Sequence, residues 1–146
     1  MDLSMVIGDW PYDSEDANNV RKVPGVDGTI KVQLRIRCGL IQWETEGRPD
    51  GRPAHSFPSM LDYCSHLVSH RRFPSADSAL GRRLVEELAE EMFDYYRRGR
   101  ALFLLGDYRR SLADAVHNLR ILRLVRNECR DASAVSNYDR YRPNLL

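Results

Sequence analysis

The order of local signals predicts an α+β domain: a three-stranded antiparallel sheet over residues ~18–46, packed with three helices of which the last two form a hairpin. Three observations carry this expectation. Residues 29–37, TIKVQLRIR, alternate with period two, setting Ile30, Val32, Leu34 and Ile36 on one face and Lys31, Gln33, Arg35 and Arg37 on the other. From Leu80 onward, apolar residues recur at helical spacings of three and four: Leu84, Leu88, Met92, Tyr95, Tyr96, Gly99, Leu102 and Phe103. Gly106-Asp107-Tyr108 interrupts that pattern, and a second helical pattern follows it. Strands first and helices after is the ordering of an α+β fold, with the helices on one sheet face.

Each element follows in turn. Residues 1–17 read as an extended arm, because Pro11 bars a helix there. Val6, Ile7, Trp10 and Tyr12 would pin that arm to the body. Residues 20–23 supply the first strand, and Asp27-Gly28 is a strong hairpin turn. Residues 29–37 and 40–46 supply the second and third strands. Such a meander is marginal alone, so its apolar face needs a cover. Residues 47–56, GRPDGRPAHS, are loop. A helix then starts at Pro58, carries Met60, Leu61, Cys64, Leu67 and Val68, and ends near Arg71-Arg72. Ser75, Asp77 and Ser78 offer caps for the long helix, which Gly106 stops. Continuous to Leu105, that helix measures about 39 Å at 1.5 Å per residue. The last helix carries Tyr108, Leu112, Ala115, Val116, Leu119 and Leu122 as its apolar set and ends near Cys129. Residues 1–130 are thus expected to form a single domain, with the helices in 57–130, and residues 131–146 a polar tail.

Composition sets the outer limits. The chain has 146 residues, 42% hydrophobic and 29% charged, the balance of an ordinary folded domain. Apolar runs such as residues 101–105 fall far short of the roughly 20 residues that cross a bilayer. The opening MDLSMVIGDW lacks a basic region ahead of an apolar one, so it does not read as a secretory signal. Cys38, Cys64 and Cys129 are odd in number, widely spaced and without a C-x-x-C pair. They read as three buried or half-buried thiols in a reducing cytoplasm. Net charge is +1, yet unevenly divided. Residues 1–94 hold 11 basic and 16 acidic side chains, and residues 95–146 hold 11 arginines and 5 acids. Such division can mark a site for an acidic partner, or it can mean that the two halves face each other.

Motifs that carry chemistry are scarce. The sequence holds no G-x-S-x-G, H-E-x-x-H, P-loop or dinucleotide-glycine pattern. Glu86, Glu87, Glu90 and Glu91 read as a solvated acidic face beside the leucine stripe. His66 and His70, at i and i+4, could share a metal, but Cys64 lies about 200° round the helix from His66. An exposed histidine pair is the better reading, and neither metal nor cofactor is expected.

Residues 95–122, YYRRGRALFLLGDYRRSLADAVHNLRIL, resemble one tetratricopeptide (TPR) repeat. Gly99 falls on that repeat's small position, and Gly106-Asp107-Tyr108 on its inter-helix turn. Arg98 stands where that repeat has leucine, Ser111 and Asn118 where it has alanine, and no proline ends the unit at Arg123. One copy is not a solenoid, so both a TPR-like αα-hairpin and a plain antiparallel pair remain open. The wider layout is similar to the N-terminal region of bacterial UVR-domain-containing proteins. The strings carrying that similarity are IGDWPYD, VQLRIRCGLIQWETEGRPDG, Leu61-Asp62-Tyr63 and YYRRGRALFLLGDY. The UVR hairpin motif, which mediates protein contact in repair proteins, is not visible here.

The functional expectation is a cytoplasmic, non-enzymatic interaction or assembly module. In a TPR-like hairpin the first helix lines the groove, which would present Tyr96, Arg97, Arg100 and Phe103 to a protein or acidic peptide; the other reading places Tyr96 and Phe103 in the core and leaves the arginines solvated. The alternative is nucleic-acid association through the arginines between Arg97 and Arg142. No membrane partner is expected, and the oligomeric state stays open.

Overall fold

Residues 20–44 build the predicted meander, β1 (Val20–Pro24), β2 (Ile30–Ile36) and β3 (Gly39–Glu44), in the order β1-β2-β3. The structure, a computed structural model, describes residues 2–129. The expected polar tail, 131–146, lies outside the described residues. Register puts Val20, Leu34 and Ile41 side by side, and likewise Lys22, Val32 and Trp43. Opposed residues share a face, so these rows form the apolar side, less Lys22. The other side carries a cross-strand polar row. Arg21 Nε donates to Gln33 Oε1 at 2.8 Å, and Gln33 Nε2 to Gln42 Oε1 at 2.8 Å. At the turn between β1 and β2, Asp27 accepts from the Thr29 amide and hydroxyl and pairs with Lys31, whose ammonium holds its carboxyl well below the usual carboxylate range.

The N-terminal arm differs from expectation. A short helix, α1 (Ser4–Ile7), precedes Pro11, and a single 3-10 turn (Asp16–Asn19) leads into β1. Pro11 excludes helix at and just before its own position, not seven residues earlier. The arm lies on the polar sheet face. Arg21 stacks over Trp10 at 4.0 Å, and Arg35 Nε donates to the Trp10 carbonyl at 2.9 Å. Lys31, Gln33 and Arg35 on this face are buried.

Three longer helices follow: α2 (Met60–Ser69), α3 (Ala79–Leu104) and α4 (Tyr108–Glu128). Pro58 is not in α2. Ser59 caps it, accepting from the Asp62 amide at 3.1 Å while its hydroxyl donates to the Asp62 carboxylate. Ser78 caps α3 by accepting from Gly81 N. At the other end, Gly106 takes φ +76°. Its amide donates to the Phe103 carbonyl and the Asp107 amide to that of Leu102, the paired bonds that close a helix at a left-handed glycine. Asp107 then caps α4, accepting from Arg110 N. One glycine therefore reverses the chain, and α3 and α4 form an antiparallel hairpin. They come close at Gly99, where a Cβ would sit 3.3 Å from that of Asp114.

Two apolar clusters result. The larger joins Met60, Leu61 and Cys64 of α2 to Leu84, Leu88 and Met92 of α3 and to Ile121, Val125 and Cys129 at the end of α4. The smaller seats Val20, Val32 and Trp43 of the sheet on Ala101 and Leu102 of α3. Burying each such side chain stabilises the fold by about 1.5–3 kcal/mol. The apolar sheet face is thus covered by α3. The helical phases need correction. Leu80 and Phe103 are exposed, and the apolar set assigned to α4 is split: Tyr108, Leu112 and Val116 face solvent while Asp114, Asn118, Ile121 and Val125 are buried. Cys38 is exposed, not half-buried.

Candidate functional site

Three of the four predicted partner-binding residues meet at one place. Tyr96, Arg97 and Arg100 stand about 0, 100 and 40° round α3, so they share a face, and that face overhangs the β1/β2 edge. With Val20, Leu34, Phe93 and Leu104 they line a cavity of about 260 Å³. Arg97 lies over two rings, 5.3 Å from Phe93 and 5.8 Å from Trp43, which fixes a long cationic side chain at the rim. Arg100 points toward Asp16 of the 3-10 turn, Nη2 to Oδ2 3.4 Å, in an exposed pair. The result is an apolar slot with two guanidinium groups at its mouth. It can hold an aliphatic or aromatic side chain that is followed by a carboxylate.

Phe103 does not join them. It is 60% exposed and makes an edge contact with Tyr108 across the hinge, ring centroids 5.3 Å apart. At about −20° it falls on the flank of the slot-facing arc, and the hinge offers it a ring. Phe93, Leu104, Val20 and Leu34 were missed by sequence reasoning. Phe93 sits at i−3 from Tyr96, a signal that was available. The sheet residues became legible only once the strands were placed.

What holds α3 in position is a buried polar framework. Arg98 grips Asp114 with two bonds, Nε to Oδ2 2.9 Å and Nη2 to Oδ1 2.6 Å. Its Nη1 donates to the Glu44 carbonyl at 2.9 Å, so one guanidinium ties α3, α4 and the end of β3. Burial pushes the Asp114 carboxyl above its ordinary value, and Arg98 opposes that shift. Glu91 corrects the reading of a solvated acidic face. Its side chain is fully buried, accepting from the Met60 and Leu61 amides at 2.7 and 3.2 Å. The start of α2, with its unsatisfied N–H groups, sits directly on that carboxylate. His117 Nε2 at 2.9 Å and Arg48 Nε at 3.2 Å complete the shell. His117 in turn stacks on Tyr95 at 3.7 Å, whose phenol burial drives upward. Glu86 and Glu90 are exposed as expected, while Glu87 pairs with His55 and Arg83.

Two of the metal candidates meet: the His66 and His70 rings pack with centroids 4.1 Å apart. His70 Nδ1 lies 2.9 Å from the His66 carbonyl, so that ring is turned back on its own helix. Cys64 is fully buried, and burial together with Glu91 and Glu87 pushes its thiol up to about 12. Among the described residues no group of three or more potential ligands could hold a metal ion. No helix among them is long and apolar enough to cross a membrane. Compared with protein families, with curated proteins and with solved structures, the chain finds no match.

Proposed function

We propose that this chain is a non-enzymatic protein–protein interaction module, and that the slot between α3 and the β1/β2 edge receives a short acidic peptide. One observation carries the reading: Arg97 and Arg100 flank an apolar cavity of about 260 Å³, and Arg100 already has a carboxylate beside it, that of Asp16. An apolar anchor in a pocket, ringed by cations, is a common basis of peptide recognition. The nucleic-acid alternative has fewer arginines than the sequence count suggested. Arg98 is buried against Asp114, and Arg110 is held by Glu46 and Asp107. The test is selection of peptides from a random library on the immobilised full chain. Acid-rich binders carrying one apolar anchor should emerge, and Arg97→Glu with Arg100→Glu should weaken them more than tenfold while circular dichroism stays unchanged. Binders indifferent to both changes would remove the reading.

A further inference from the structure

The outer face of α4 is apolar where solvent should find polar side chains. On a helix packed by one face, the opposite arc is normally charged. Here Asp114, Asn118, Ile121 and Val125 mark the buried arc, and the opposite arc carries Tyr108, Leu112 and Val116 in an i, i+4, i+8 row. These three are 62%, 65% and 46% exposed. Phe103 extends the row across the hinge through its contact with Tyr108. Down the axis the row runs into Arg120 and Arg123, which border a shallow groove of about 310 Å³ between α2 and α4, floored by Leu61, Val68 and Leu124. The whole track from position 108 to 124 is about 24 Å long, some sixteen residues of helix.

Charge on this track is predominantly positive. Between Tyr108 and Glu128 the sequence has two carboxylates; Asp114 faces inward and Glu128 closes the far end. Arg109, Arg120 and Arg123 are exposed, and none of the three finds a carboxylate among the described residues. A second copy laid face to face would oppose arginine to arginine, which is unfavourable. The phosphates of nucleic acid would meet the arginines but waste an aliphatic row. A bilayer surface suits a broad apolar arc, whereas this row is one residue wide and about 80° across. A narrow seam is what another helix fits.

We infer that the outer face of α4 is a second docking surface, separate from the α3 slot, and that its occupant is an acidic amphipathic helix from a partner protein. Leucine-type residues of that helix pack along Tyr108, Leu112 and Val116, and its glutamates or aspartates meet Arg109, Arg120 and Arg123.

The probe is a synthetic helical peptide of about eighteen residues with a leucine seam flanked by glutamate, alongside the same seam flanked by lysine. Labelled peptide is titrated with the full chain and followed by fluorescence anisotropy. The glutamate peptide should bind, the lysine peptide at least tenfold more weakly. Leu112→Asp and, separately, Arg120→Glu with Arg123→Glu should each cost tenfold or more, with unchanged circular dichroism. Arg97→Glu with Arg100→Glu should leave this binding intact, which separates the two surfaces. Several results overturn the proposal: no binding of the glutamate peptide at millimolar concentration, equal binding of both peptides, or a dimer in light scattering that Leu112→Asp dissolves. Binding to anionic phospholipid vesicles or to an oligonucleotide that Leu112→Asp abolishes would overturn it too.

Discussion

Along α4, the face turned toward α3 holds Asp114, Asn118 and half-buried His117, whereas the face turned to solvent holds Tyr108, Leu112 and Val116. Polarity runs opposite to the simple rule in the first half of the helix and obeys it in the second, where Ile121 and Val125 are buried. The inner polar residues have partners of matched chemistry opposite them. Arg98 meets Asp114, Glu91 meets His117, and the Met92 carbonyl accepts from Asn118 Nδ2. Asn118 Oδ1 is the exception, buried without a hydrogen-bond partner among the described residues. The outer residues are largely exposed, with Tyr108 touching the Phe103 ring. What differs is therefore the supply of complementary groups, and hydrophobicity alone does not order the helix.

The sharpest way to break this comparison is to remove one inner partner. Arg98→Leu strands the buried Asp114 carboxylate, and a loss of about 3–5 kcal/mol in urea unfolding is the expected outcome. Adding Asp114→Leu should recover much of that loss, because a repacked apolar pair no longer leaves a charge without its partner. If the double variant is no better than the single one, the pair is not coupled as described.

A rim pair sharpens the contrast through pH. Lys22 Nζ lies 2.6 Å from Asp107 Oδ2, and its ammonium, against the opposing effect of burial, holds the Asp107 carboxyl down at about 2, below its ordinary 3.8. Because the folded value is depressed, this contribution is complete above about pH 4 and is lost as pH falls toward 2. Lys22→Met should therefore make the urea midpoint less steep between pH 4 and 2 than in the parent chain. Identical slopes would show that the pair adds nothing. The effect should be well below that of Arg98, since Lys22 is partly solvated.

The smallest effect belongs to the outer face. Leu112→Asp should change stability by less than about 0.5 kcal/mol, as for other surface positions without a packing role. A loss of several kcal/mol in thermal unfolding would mean that Leu112 is packed inside, and the comparison between the two faces would fail.

Much of the fold was written in local pattern. Period-two alternation located β2, Asp27-Gly28 its turn, the cluster Ser75, Asp77 and Ser78 the start of α3, and Gly106 the hinge, each through a preference acting within a few residues. The slot was partly legible, because Tyr96, Arg97 and Arg100 share a face by helical arithmetic alone. Phe103 satisfies the same arithmetic and still goes elsewhere, drawn to the Tyr108 ring. Glu91 reads as one more surface acid in a run of four, and no local signal announces that the start of α2 settles upon it from 30 residues away. The apolar set of α4 misled for the same reason: periodicity reports that a stripe exists, not which neighbour it meets.

By itself, then, the sequence determined where the three strands, the three longer helices and the reversal lie, since those follow from backbone preferences and periodicity within a short window. Only the tertiary structure decided which side of α4 is inside and which acids and arginines are buried. Those choices rest on partners 16 to 54 residues apart, Arg98 with Asp114 and with the Glu44 carbonyl, that meet only when the hairpin closes on the sheet.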